Sequence, residues 1–119
     1  MAQRNKGIII NTSSISSSMA TNHGVGYHSA KSAIDLATKM IAKDLAPYNV
    51  RCIAISPGSV ETGLQPEDLK QQAAALLLKN RLIQPKEIAN IFYLMSLDEA
   101  SAINGTVIMA DDGYCSMKI

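Results

Sequence analysis

With 119 residues, 47% hydrophobic and 18% charged, the chain has the balance of a globular protein and the length of one domain, which excludes a disordered, fibrous or two-domain reading. A formal net charge of +1 with dispersed cations leaves no electrostatic footprint for nucleic acid or an anionic membrane surface, so the expected partner is a small molecule or another protein chain. No apolar run reaches the roughly 18 residues of a membrane span, and residues 1–6 do not read as a signal peptide. Cys52 and Cys115 lack the count and spacing of a disulfide framework or a zinc site. A cytoplasmic location is expected, with no metal.

Gly7-Ile8-Ile9-Ile10-Asn11 is a short, β-branched, continuously apolar run, suited to a strand covered on both faces of a parallel sheet. A core strand so soon after Met1 reads as an internal stretch of a larger fold. The serine-rich segment from Thr12 to Ser18 and the turn material through Asn22, His23, Gly24 and Gly26 predict a functional loop. Over residues 26–47, Ala30, Ala33, Ile34, Ala37, Met40, Ile41 and Leu45 recur at helical spacing, with Asp35, Lys39 and Lys43 on the other side. This predicts an amphipathic helix with Asp35 and Lys39 as a surface pair, stopped at Pro47.

Val50 to Ser56 is a second buried strand, closed by Pro57-Gly58. Residues 66–81, with the cluster Ala73-Ala74-Ala75-Leu76-Leu77-Leu78, predict one or two short helices acting as a mobile cover. Pro85 opens another helix whose buried face is Ile88, Ala89, Ile91, Phe92 and Met95. Asn104-Gly105 is a turn, and residues 106–110 form a third strand before Asp111 and Asp112, which read as a loop anchor or solvated turn. Strand, helix, strand, helix, strand implies three parallel strands with flanking helices: an α/β, partial Rossmann-like doubly wound fold.

Tyr27 and Lys31 are four residues apart at the start of the long helix, so they share one face and can meet one ligand. An ammonium one turn from a phenol stabilises the phenolate, which lets the phenol take and return a proton. With several Tyr and Lys in the chain, this spacing alone is weak evidence. Ser14, 13 residues before Tyr27 and just past a strand, adds a hydroxyl where open α/β sheets bind ligands, at the carboxyl ends of their strands. His23 and His28 have no second ligand at metal spacing, and His28 is expected to point away from the catalytic face in a structural role.

Three motifs then agree in order: Asn11-Thr12-Ser13-Ser14 after an apolar strand, Tyr27-His28-Ser29-Ala30-Lys31, and Pro57-Gly58-Ser59-Val60-Glu61-Thr62. From about Gly7 to Gly113 the sequence resembles the short-chain dehydrogenase/reductase family. Arg81-Leu82, Pro85 to Ala89 and Asn104-Gly105 look like bacterial ketoacyl-carrier-protein reductases and their relatives. The resemblance implies an NAD- or NADP-dependent oxidoreductase acting on a carbonyl or secondary alcohol. Tyr27 would be the general acid/base, Ser14 would bond the substrate oxygen, and Lys31 would bind the nicotinamide ribose. Pro57, Gly58, Val60 and Thr62 would lie along the nicotinamide, with the Val60 backbone orienting the ring, and the leucine-rich segment would correspond to the family's substrate lid.

The family's glycine-rich phosphate loop and its catalytic Asn have no counterpart in residues 1–119. Gly24-Val25-Gly26-Tyr27-His28-Ser29 lacks the final glycine such a loop requires. Residues 1–119 therefore read as the C-terminal half of the family's domain, with the N-terminal half missing and only the nicotinamide half-site present. Homo-oligomerisation is expected, because an edge of the first strand would be left open. The alternative is a catalytically silent fragment that serves only as a folded or oligomerisation module.

Overall fold

The computed structural model describes residues 1–21 and 23–116. Asn22, part of the expected turn, lies outside them. Three strands, β1 (Gly7–Thr12), β2 (Val50–Pro57) and β3 (Val107–Ala110), alternate with α1 (Val25–Leu45), α2 (Glu67–Ala75) and α3 (Pro85–Ser96). The sheet has the order β1-β2-β3 with both pairings parallel, Gly7 opposite Val50 and Ala54 opposite Val107. The predicted α/β class, with three parallel strands and flanking helices, is what the structure contains.

The core is centred on β2. Cys52, Ile53, Ala54 and Ile55 are all fully buried, and since successive strand residues point to opposite faces, β2 is covered on both. The crossover α1 packs against β2 and β1. Its buried positions are Thr38 and Ala42, with Ile34, Asp35, Ile41 and Leu45 half-buried, whereas Ala30, Ala33, Ala37 and Met40 are exposed. The helix is thus turned roughly a quarter turn from the face its hydrophobic pattern predicted.

That rotation also removes the expected Asp35–Lys39 surface pair. Asp35 turns inward, with Oδ1 buried and without a hydrogen-bond partner among the described residues, while Lys39 remains exposed. Thr38 can occupy the buried face because its hydroxyl donates to the Ile34 carbonyl one turn back, at 2.8 Å.

The expected helical region 66–81 contains a single helix, α2, followed by turns. Of its leucines Leu77 is buried, packed with Leu82 and Ile83 and flanked by Val60, Ile88 and Tyr114. Leu76 and Leu78 remain largely exposed. In α3 the residues Ile88, Ile91, Phe92 and Met95 are half-buried as predicted, but Ala89 is exposed.

At the amino end of the sheet, the side of β2 away from β1 is closed by the Asn104-Gly105 turn rather than by β3. Asn104 Oδ1 accepts the Cys52 N–H at 2.8 Å, and the Gly105 N–H donates to the Cys52 carbonyl at 2.9 Å, with Gly105 at φ +62. The Arg51 guanidinium donates to four carbonyls, those of Met95, Leu97, Ala100 and Ile103, at 2.9 to 3.1 Å. These are terminal carbonyls of α3 and the turns after it, which a helix cannot satisfy internally.

Replacing Arg51 by Met keeps the apolar stem and removes all four donations. The expected loss is roughly 2–4 kcal/mol of folding stability, measured by denaturant unfolding, with Arg51→Lys intermediate. A loss under about 0.5 kcal/mol would show the fan to be incidental. At the start of α3, the Glu87 carboxyl is held down to about 2, chiefly by Arg81 and then by the Gln84 N–H. Because the folded value lies below the ordinary 4.5, this contribution is full above pH 4.5 and fades as pH falls from there toward 2. The thermal midpoint of the native chain should therefore drop more steeply across that window than that of Glu87→Gln; equal slopes would contradict the assignment.

Candidate active site

Ser14 follows β1 and is nearly buried, at 8% exposure. It caps a 3₁₀ turn (Ile15–Ser17), its Oγ accepting the Ser16 N–H at 3.1 Å. That bond occupies an acceptor lone pair and leaves the hydroxyl proton free to be donated. Tyr27 stands in the first turn of α1, 54% exposed, so its ring faces outward from the fold.

The Lys31 ammonium lies 5.7 Å from the centroid of the Tyr27 ring and donates to the Thr12 carbonyl at 2.9 Å. Lys31 thus touches the strand end two residues before Ser14 while attending Tyr27. The structure brings Tyr27 and Lys31 together and ties Lys31 to the end of β1, two residues before Ser14. Among the described residues, no hydrogen bond joins Ser14 to Tyr27.

A second tie runs two turns along α1, where Asn11 Nδ2 donates to Thr38 Oγ1 at 2.9 Å. The sequence reading used Asn11 only as part of a motif and passed over Thr38. The available signal was a polar residue in an otherwise apolar strand and a hydroxyl on the buried side of the helix.

His28 takes up a local role. Its Nδ1 meets the Gly24 carbonyl at 2.8 Å and its Nε2 meets Thr21 Oγ1 at 3.2 Å. Its ring stands edge-on to Tyr27 with centroids 6.1 Å apart. Both ring nitrogens serve the loop that leads into α1, in line with the structural role expected of His28.

At the carboxyl end of β2, the Gly58 N–H donates to the Ala110 carbonyl at 3.0 Å. A Cβ on Gly58 would stand 2.9 Å from Asp111 Cα, so only glycine fits. Val60 faces Ile83 in an isolated parallel bridge: Ile83 N–H donates to the Ser59 carbonyl at 3.0 Å and Glu61 N–H to the Ile83 carbonyl at 2.8 Å. In such a bridge the N–H and C=O of Val60 point to the opposite side, available to a ligand.

Thr62 is exposed. Glu61 accepts from Lys70 at 2.9 Å and from the Gly63 N–H at 2.8 Å, linking this segment to α2, and these donors, Lys70 first, lower its pKa. The sequence reading did not identify this pair. Asp111, by contrast, is the anchor expected of it, accepting from the Gly113 and Cys115 N–H groups.

These groups fit the nicotinamide end of a dinucleotide. Lys31 retains two N–H donors for a ribose diol, Val60 offers a donor and an acceptor, and Ser14 retains a proton. A concavity of about 610 Å³, bordered by Ser16, Thr21, His23, His28 and Ser32, adjoins the loop between Ser14 and Tyr27 but does not include either residue. No helix among the described residues is long and apolar enough to cross a membrane.

Residues 1–115 match the family described as enoyl-(acyl carrier protein) reductase. Cyclopentanol dehydrogenase of Comamonas is 36% identical over 119 residues, covering 96% of this chain and 48% of that protein. The 3-oxoacyl-(acyl-carrier-protein) reductase of Thermotoga maritima is 31% identical over 116 residues, covering 95% and 47%. The crystal structure of the 3-oxoacyl-(acyl-carrier-protein) reductase of Brucella melitensis superposes with a TM-score of 0.89 at 28% identity, covering 96% of this chain and 44% of that one. The chain therefore spans about half the length of the relatives it matches. Family match, relatives and fold agree that the chain belongs to the short-chain dehydrogenase/reductase family of oxidoreductases.

Proposed function

We propose that the protein transfers a hydride between NAD or NADP and a small carbonyl or secondary-alcohol substrate, with residues 1–119 supplying the catalytic half of one domain. The observation that carries this reading is the Lys31 ammonium, held between the Tyr27 ring and the Thr12 carbonyl at the end of the strand leading to Ser14. A cytoplasmic location and a homo-oligomeric state belong to the same proposal.

The nicotinamide, when bound, supplies or accepts the hydride. Tyr27 Oη gives a proton to the substrate oxygen in reduction and takes it back in oxidation. Lys31, 5.7 Å from the ring centroid, would stabilise the phenolate left behind, and its two remaining N–H groups would hold the ribose of a bound cofactor. Ser14 donates its hydroxyl proton to the substrate oxygen and so fixes the carbonyl for attack. Pro57, Gly58, Val60 and Thr62 would lie along the nicotinamide when it is bound, and the N–H and C=O of Val60 that its bridge to Ile83 leaves facing outward would orient the amide. Cyclopentanol, named for one relative, is a secondary alcohol of the expected class.

Reduced nicotinamide mononucleotide is the direct probe, because it carries only the half of the cofactor for which residues are present. An NMR titration should move the Tyr27, Lys31, Val60 and Thr62 amides with a Kd on the order of 1 mM, weakened about tenfold by Lys31→Met. The intact dinucleotide should bind little better, since no glycine-rich phosphate loop occurs in residues 1–119. Where turnover is measured, Tyr27→Phe should lower kcat about 10²- to 10⁴-fold with cofactor binding retained. Unmoved amides at saturating nucleotide would reject the redox reading in favour of the catalytically silent module.

A further inference from the structure

α1 rests on the sheet with a face that its own hydrophobic pattern does not select: Thr38 and Ala42 are buried, while Ala30, Ala33, Ala37 and Met40 are exposed. Apolar burial alone therefore does not set its rotation. Among the described residues, one side-chain to side-chain hydrogen bond joins α1 to the sheet, from Asn11 Nδ2 to Thr38 Oγ1 at 2.9 Å. Thr38 is fully buried.

The placement of protons makes this bond directional. The single hydroxyl proton of Thr38 goes to the Ile34 carbonyl at 2.8 Å, so Thr38 Oγ1 can only accept from β1. Asn11 must then present its amide nitrogen rather than its oxygen, and the same nitrogen donates to Cys52 Sγ on β2 at 3.8 Å. Amide, hydroxyl and helix carbonyl form one chain of donations from the strand into the main chain of α1. A satisfied buried chain of this kind specifies one packing arrangement.

Lys31 lies two turns before Thr38 on the same side of α1, and its ammonium reaches the Thr12 carbonyl, next to Asn11. A lysine stem is flexible and cannot by itself hold a helix in place. At the roughly 5–6 Å outer radius of a helix, a turn of about 20° carries a side chain about 2 Å. A working site tolerates on the order of 0.5 Å.

We infer that Asn11 and Thr38 are a positioning pair: their bond sets the rotation of α1 and thereby holds the Lys31 ammonium between the Tyr27 ring and the Thr12 carbonyl. Both residues act through Lys31. As an account of where Lys31 stands, this depends only on the bonds above; as an account of hydride transfer, it rests on the redox reading.

Thr38→Val keeps the shape of the side chain and removes the acceptor, and Thr38→Ser restores it. By NMR of the 119-residue chain, contacts between the Lys31 side chain and the Tyr27 ring should be present in the native chain and in Thr38→Ser, and lost in Thr38→Val. Reduced nicotinamide mononucleotide should bind Thr38→Val about three- to tenfold more weakly than the native chain, and Thr38→Ser within about twofold. In a Lys31→Met background, Thr38→Val should change binding by less than about twofold, because the pair then has nothing to position. A merely structural role would weaken both backgrounds alike. If Thr38→Val does not fold, Asn11→Leu removes the donor from the strand side and should give the same losses. Retained contacts in a folded variant, no rescue by serine, or equal weakening in both backgrounds would overturn the inference. A native chain that shows the contacts but binds no nucleotide would reject the redox reading, and the contact comparison would still decide the role of the pair.

Discussion

The donation from Lys31 to the Thr12 carbonyl, repeated two turns along the helix by the Asn11 to Thr38 bond, is the constraint on which the rest of the site depends. Asn11 and Thr12 are neighbours on β1, and Lys31 and Thr38 lie seven residues apart on one face of α1. One tie would leave the helix free to pivot on the strand. Two ties fix both its rotation and its sliding. Because Tyr27 is one turn before Lys31 and Ser14 two residues after Thr12, their separation is set by this frame rather than by direct contact. The frame is polar, so it is directional in a way that packing of Ile34 and Ile41 alone would not be.

The same economy governs the opposite end of the sheet. One guanidinium, that of Arg51, closes four carbonyls left open by α3 and its following turns, and one amide, that of Asn104, substitutes for a strand beside Cys52. These groups act where the backbone would otherwise be buried unpaired, which makes each of them costly to lose. The Lys6–Asp98 pair is shorter, at 2.6 Å, but its side chains are 66% and 75% exposed, so water screens it and its contribution is small. The Lys6–Asp98 pair therefore adds little beside β2 and its polar staples.

The strands were legible because Ile8-Ile9-Ile10 and Cys52-Ile53-Ala54-Ile55 admit few alternatives between their turn residues, and the helices because Gly24, Pro47 and Pro85 punctuate them. The rotation of α1 was not legible. Alanine counts as apolar yet gains little from burial, so Ala30, Ala33 and Ala37 carried the pattern without the energy to enforce it, while Thr38 could be buried once its hydroxyl found Ile34. The Tyr27 and Lys31 pairing follows from i, i+4 spacing alone. The bonds that hold Lys31 and Arg51 end on main-chain carbonyls, which every residue possesses, and no sequence pattern marks which carbonyl will be chosen. The Lys70–Glu61 link escaped notice because it spans a loop whose path depends on Ile83.

That loop has its own logic. Gly58 passes so close to Asp111 that a methyl group there would collide with the main chain, and Asp111 is itself locked by two N–H donors from the segment that follows it. The end of β2 and the end of β3 consequently constrain one another. Beyond Gly58, Ser59 and Glu61 straddle Ile83 and turn the backbone of Val60 outward. Glu61 then reaches Lys70 on α2, while Leu77 just beyond that helix packs in the cluster that includes Val60. The α2 segment is thus joined to the Val60 segment by two contacts, one ionic and one apolar.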